Sequence, residues 1–243
     1  FITDFENYLR TESKCNENTT AKFMQTFKMI VIIAKNNGWI YTDPFSNYKI
    51  RLKRVDRGYL TDAELQKIMK KKFPTKRLEQ VRDVFLFSCY TGISYRDMHL
   101  LTKDNLSLAE DGTWWIRSTR QKTGVEFEIP LLELPLQILK KYRDTAPGDR
   151  LLPVYCNSAL NLYLKEIARL CNINRPLVFH AARHTYATEI TLSHGVPLET
   201  VSRMLGHSRI ETTQIYAKVT DDKISTDTRV LNRKISERFN VVI

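Results

Sequence analysis

One short β region inside an otherwise helical pattern constrains this chain most. Residues 106–108 and 114–116 flank Asp111-Gly112, a dipeptide suited to the tight turn of a two-strand hairpin. Residues 125–129 alternate apolar and acidic side chains, and Pro130 closes the run. Three short strands therefore surround Ser118-Thr119-Arg120-Gln121-Lys122-Thr123-Gly124. Elsewhere the apolar spacing is that of helices. The fold class expected is mainly α with a small antiparallel β-sheet.

The helices fall into two blocks. Residues 4–9 form a short amphipathic piece. Residues 20–37 carry Phe23, Phe27, Ile30, Val31 and Ala34 at helical spacing, with Gly38 placed to stop the helix. Residues 49–58, K-I-R-L-K-R-V-D-R-G, read as a basic extended linker. The second block opens sharply at Thr61-Asp62-Ala63-Glu64, a capping box that turns Leu65, Ile68 and Met69 inward. A helix over 77–90 ends at Thr91-Gly92. After the strands, helices are expected at 135–145, 158–171, 180–193 and 197–204, with a short one near 209–216. Residues 218–243 read as a tail in which Ile224, Val230, Leu231 and Ile235 suit docking. The division expected is 1–54 for the first domain with its linker and 59–243 for the second.

A formal net charge of +11 and a pI near 9.5 fit a polyanionic partner, most simply DNA or RNA. Cys15, Cys89, Cys156 and Cys171 are scattered without zinc-ligand spacing, and read as reduced, mostly buried thiols of a cytosolic protein. No apolar run approaches the ~20 residues of a membrane span. No signal peptide opens the chain, and its start at Phe1 without Met reads as that of a fragment. No phosphate-binding glycine loop is present. Asp104, Asp111 and the Asp221-Asp222 pair lie beside turns or in a polar tail, which argues against a two-metal nuclease site. Neither a metal nor a cofactor is expected.

Chemistry concentrates in the last third. The order is F-H-A-A-R-H-T-Y-A-T over 179–188, L-G-H-S over 205–208, then T-T-Q-I-Y-A over 212–217. His180 and Arg183, three apart on a helix, face the same way. His207 and Tyr216 follow, each after its own short turn. Arginine can hold phosphate oxygens, histidine can move protons near neutrality, and a tyrosine hydroxyl can attack. Taken singly, each has a bland reading: Tyr216 as core filling, Arg183 in a surface ion pair, His207 as a helix cap and Lys122 as a solvated turn lysine. The joint, ordered set is what suits a phosphodiester. His184, one turn beyond His180, reads as a packing or capping residue.

The array resembles the tyrosine recombinases, the phage-integrase family that cuts and rejoins DNA through a phosphotyrosine. The likeness covers nearly the whole chain and is most specific over 179–217, where H-x-x-R, L-G-H and the tyrosine stand in family order and spacing; R-Q-K-T-G before a strand ending I-P-L also matches. The resemblance implies that 1–54 is part of a helical core-binding domain and that 59–243 is the catalytic domain. It implies Tyr216 as nucleophile, Arg183 as phosphate clamp, His180 and His207 as proton-transfer and phosphate-binding imidazoles, and Lys122 as acid toward the leaving 5′-hydroxyl. It further implies double-stranded DNA as partner, a monomer alone that multimerises on DNA, DNA-bending accessory proteins as further partners, and a bacterial, nucleoid-associated location. One position departs. The family has T-G-[LI]-R after its second catalytic-domain helix, whereas this chain reads Thr91-Gly92-Ile93-Ser94-Tyr95-Arg96-Asp97. Ser94 stands where the family's other clamping arginine belongs and suits a capping pair with Asp97. Arg96, Arg82 or a linker arginine are the candidate substitutes. Two alternatives stay open on the same fold: a DNA-binding protein that no longer cuts, and a type IB topoisomerase-like enzyme that relaxes DNA.

Overall fold

A computed structural model describes residues 1–53, 58–216 and 221–236, with side chains from Ile224 onward in the last segment. Residues 54–57 of the expected linker, residue 217, and residues 218–220 and 237–243 of the expected tail lie outside the described residues. The chain divides into two compact units, Phe1–Asp56 and Arg57–Ile243.

In the first unit, α1 (Ile2–Thr11) packs on α2 (Glu17–Asn36). The Asn16 side chain caps α2 by accepting from Thr19 N at 2.9 Å, and Gly38, at φ +72°, follows its end. Ile2, Leu9, Met24, Val31 and Phe45 form the core, and the Phe27 ring meets Phe5 and Phe45 edge-on at 5.3 and 5.4 Å. Of the apolar residues that mark the helical spacing, Val31 is buried, whereas Phe23 and Ile30 are 51% and 58% exposed. The buried stripe runs through Thr20, Met24 and Val31, and Phe23 and Ile30 stand on the flanking face.

The second unit is built around α4 (Lys76–Thr91). It follows α3 (Asp62–Lys70), whose Thr61–Glu64 capping box forms in both directions. Because α4 is covered by neighbours on several sides, its residues 84–89 are all buried, from Val84 to Cys89. The helix α5 (Tyr95–Leu100) comes next, then β1 (Leu106–Leu108), β2 (Trp114–Thr119) and β3 (Glu126–Pro130). The strands pair antiparallel in chain order, with Leu106 opposite Ile116, and Ile116 opposite Ile129. Ile116, Phe127 and Ile129 alternate onto the core side. β2 runs three residues further than expected and delivers the chain into the turn at 120–124, closed by Arg120 N donating to Val125 O at 2.8 Å.

The remaining helices are α6 (Glu133–Tyr142), α7 (Asn157–Leu170), α8 (His180–Thr185), α9 (Leu198–Met204), α10 (Glu211–Gln214) and α11 (Asp221–Ser236). The expected helix over 180–193 is not uniform. After α8 the backbone widens into a π-helical turn over Tyr186–Thr191 and tightens again over Leu192–His194. Thr191 Oγ1 donates toward the carbonyls of Ala187 and Tyr186 at 2.8 and 3.0 Å, which fits a loosened ladder. The four cysteines are free; Cys89 and Cys171 are buried, while Cys156 is exposed and Cys15 half-buried, so burial is less general than expected. Among the described residues no helix is long and apolar enough to cross a membrane.

Candidate active site

Four short elements of the second unit meet at the carbonyl of Leu205. Arg183, on α8, is only 4% exposed. Its Nη1 donates to Gly92 O at 2.7 Å and its Nη2 donates to Leu205 O. Gly92 ends α4 in the left-handed region, at φ +69°. A Cβ there would lie 2.4 Å from Tyr186 Cδ1, so only glycine lets this turn sit against the π-helical turn that follows α8. The Tyr216 side chain lies close enough to the Arg183 guanidinium to act on its charge. Burial, and next the nearby Arg120 cation, push the Arg183 pKa down to about 10, which leaves it charged at neutral pH.

Tyr216 follows α10 and is 7% exposed, packed with Tyr186, Ala187, Val201 and Leu205. The His184 ring meets it edge-on at 4.9 Å, and the exposed His180 ring meets His184 edge-on at 4.8 Å. His184 therefore stands in ring contact with both the expected proton acceptor and the expected nucleophile. His207 stacks nearly parallel to Tyr216, with centroids 6.3 Å apart. Its Nδ1 lies 2.7 Å from the hydroxyl of the buried Thr213. Burial, followed by the charges of Arg183 and Arg120, drives the His207 pKa down to about 4. A neutral imidazole whose Nδ1 accepts from Thr213 presents its Nε2–H as a donor.

Lys122 is exposed in the β2–β3 turn, two residues from Arg120. Arg96 is exposed on α5 and makes no hydrogen bond or ion pair with this cluster among the described residues; it is Asp97, one residue on, that is buried there. Arg82 is committed elsewhere, with Nε 2.8 Å from Asp83 Oδ1 and its guanidinium over the Phe73 ring. Of the three linker arginines, Arg51 is exposed in the first unit, and those at 54 and 57 lie outside the described residues. Ser94 begins α5 without a side-chain cap to the backbone, and its hydroxyl instead donates to Asp97 Oδ2 at 2.6 Å.

Two further residues join the site without a direct sign in the sequence: the buried Asp97 and the mostly enclosed Arg120. Arg120 is 11% exposed, donates from Nη1 to Leu205 O at 2.9 Å and places Nε 3.0 Å from Asp97 Oδ2. The signal present in the sequence was indirect: an Arg-x-Lys turn, a Ser-x-x-Asp pair and a glycine before His207. The pocket thus holds two guanidiniums, a neutral imidazole donor and a buried phenol, with one carboxylate beside them. Such a set can bind an anion and stabilise a phenolate. Among the described residues no group of three or more His, Cys, Asp or Glu is placed to hold a metal ion.

The sequence model of the phage integrase family matches residues 58–223, and that of the phage integrase SAM-like domain matches residues 1–50. The chain is similar to a tyrosine recombinase of Thermosipho africanus, at 26% identity over 235 residues, covering 90% of this chain and 81% of the relative. It is also similar to the tyrosine recombinase XerD of Listeria monocytogenes, at 32% identity over 144 residues, covering 54% of this chain and 47% of the relative. Among solved structures, XerH recombinase bound to a palindromic difH substrate superposes with a TM-score of 0.72 at 15% identity, covering 95% of this chain and 72% of that one. A lambda integrase dimer bound to a COC′ core site gives 0.71 at 17% identity, covering 90% and 81%. The Tn1549 transposon integrase in complex with circular intermediate DNA gives 0.71 at 17%, covering 94% and 84%. At these identities the structural likeness is one of fold.

Proposed function

The chain belongs to the phage integrase family, and from that premise we propose that it is a site-specific recombinase that cleaves and rejoins double-stranded DNA through a 3′-phosphotyrosine. The supporting observation is the meeting of Arg183, His207 and Tyr216 in one cluster beside Leu205, with Arg183 and Tyr216 both buried and the His207 ring stacked on Tyr216. A phenol with an ordinary pKa near 10 is a weak nucleophile until its proton leaves. Arg183 favours the phenolate electrostatically. His180, one turn before Arg183 on α8, takes the proton once substrate is bound.

Tyr216 Oη then bonds to phosphorus as the bond from phosphorus to the 5′-oxygen breaks. Lys122 protonates that oxygen to give the free hydroxyl. Arg183 and the neutral His207 hold the non-bridging oxygens, whose charge grows in the transition state. The phosphoester bond energy is retained in the tyrosyl ester, so a 5′-hydroxyl from the partner strand reverses the step without ATP. The assembly proposed is a monomer in isolation and a multimer on DNA, in a bacterial cell and close to the nucleoid. The net charge of +11 supports salt-sensitive backbone contacts.

Ser94 favours the second reading, a protein on this fold that binds DNA without cutting. A pool of nicked duplexes with randomised cores separates the two. The released nicked fragment prevents religation, so an active enzyme accumulates as a covalent adduct on denaturing gels. The expected adduct carries its nucleotide on the peptide containing Tyr216 and disappears in Tyr216→Phe. DNA retention without any adduct supports the second reading, and relaxation of arbitrary plasmids without strand exchange supports a topoisomerase.

A further inference from the structure

Resting on the recombinase reading above, we infer that Arg120, from the β2–β3 turn, is the second guanidinium that grips the scissile phosphate, in place of an arginine at the Ser94 position. Arg120 and Arg183 donate to the same acceptor, Leu205 O, so their charged heads lie side by side. Arg183 is buried, the Arg120 side chain is 11% exposed, and both charges act on the His207 ring. One carboxylate, Asp97, faces these two cations. The cluster keeps a surplus positive charge in a site largely shielded from water, which one phosphodiester charge neutralises. Arg120 Nε–H is buried and makes no hydrogen bond; its 3.0 Å approach to Asp97 is an ion pair poorly aligned for one.

The surroundings are shaped for this side chain. Gly206 has φ +61°, and a Cβ built on it would stand 2.7 Å from Arg120 Cγ and 3.3 Å from its Cδ. The bare α-carbon next to His207 is therefore the passage through which Arg120 crosses to Arg183. Asp97 fixes the other end. Its Oδ1 accepts from Gln121 N at 3.0 Å and its Oδ2 accepts from Ser94 Oγ at 2.6 Å, tying the turn to the start of α5. Ser94 thus supports the carboxylate that orients the arginine. The charge has moved from the α4–α5 turn to the β2–β3 turn, while its destination has stayed the same. Asp97 and Ser94 are positioning residues, and Arg120 touches the substrate.

The test uses a nicked duplex recovered from the randomised pool, made with either an ordinary phosphodiester or an uncharged methylphosphonate at the cleaved position. With the ordinary duplex, Arg120→Ala is expected to lower the rate of covalent adduct formation roughly 100-fold or more, and Arg120→Lys roughly 10-fold, since an ammonium keeps the charge but not the fork. With the methylphosphonate, where one oxygen charge is gone, Arg120→Ala should approach the wild-type rate on the same duplex. That rescue also proves the variant folded, which a merely structural anchor at Arg120 would not produce. Loss of activity without rescue in both Arg120→Ala and the milder Arg120→Lys overturns the inference, as does a loss and rescue in Arg96→Ala instead. Wild-type protein that forms no adduct on any duplex overturns the recombinase reading itself, a separate failure from an Arg120→Ala variant that cleaves at the wild-type rate.

Discussion

At His207 the structure stores a pH dependence that can be read directly. The folded chain holds this imidazole at a pKa of about 4, below its ordinary 6.5. Between those values the unfolded chain binds a proton that the folded chain refuses, so stability falls as the pH drops through that window and levels off beneath it. The ring is partly open to solvent, which discounts the effect to about 1 kcal/mol. Urea midpoints at pH 7 and pH 4.5 should therefore converge more closely in His207→Gln than in wild type; equal pH sensitivity in both would remove His207 from the account. The residue scale also shows what sequence order can and cannot reveal. Tyr216, Arg183, His180 and His207 could be read as candidates because they stand in one recognisable series, His180 and Arg183 on α8 and the other two just after α9 and α10. Arg120 was not, because its burial depends on a glycine far along the chain that leaves room for its methylenes. Arg96 looked closer to the missing charge only because sequence proximity hides which face of α5 turns outward.

Helices and strands were the most legible level, since their limits are set by local chemistry. Thr61 and Thr75 cap α3 and α4 through their own side chains, and Gly92 ends α4 in the left-handed region. The interruption after α8 was not visible, because it depends on where the Thr191 hydroxyl finds its carbonyls. Nor was the link between α4 and α6. Asp83, buried in α4, accepts from Tyr142 Oη at 2.9 Å and Lys141 Nζ at 2.6 Å, both on α6, and from Arg82 Nε at 2.8 Å. Burial and then the Asp83 charge raise the Tyr142 pKa, so that hydroxyl stays a donor throughout the ordinary pH range. Asp83→Ala strands a buried hydroxyl and an adjacent guanidinium, and is expected to cost about 3 kcal/mol. Lys141→Ala removes a half-exposed partner and should cost less than about 1 kcal/mol. Chemical denaturation of the two variants checks the ordering, and a Lys141→Ala loss equal to that of Asp83→Ala would mean the ammonium rather than the carboxylate organises this joint.

For the whole molecule, the question is how the proposed monomer would come together with a second copy on DNA. The helix α11 carries Ile224, Leu231 and Ile235 along one narrow stripe, and all three are exposed. A seam of that kind is too short to hold two free proteins together, yet sufficient once a shared duplex raises their effective concentration. The expected behaviour is therefore conditional: one protomer per particle in solution, two or more on a duplex carrying paired sites. Leu231→Glu should leave the adduct on a single-site duplex unchanged, because Leu231 is exposed and is not among the residues packed around Leu205 and Tyr216. On the paired-site duplex it should weaken occupancy of the second site by roughly 30-fold, the equivalent of about 2 kcal/mol for one leucine left unburied. Mass photometry on the two duplexes reads this difference. If both duplexes load alike with the variant, the stripe does not join protomers, and cooperation must come through the DNA or through the first unit. If the single-site adduct falls as well, α11 acts on its own active site rather than on a neighbour's.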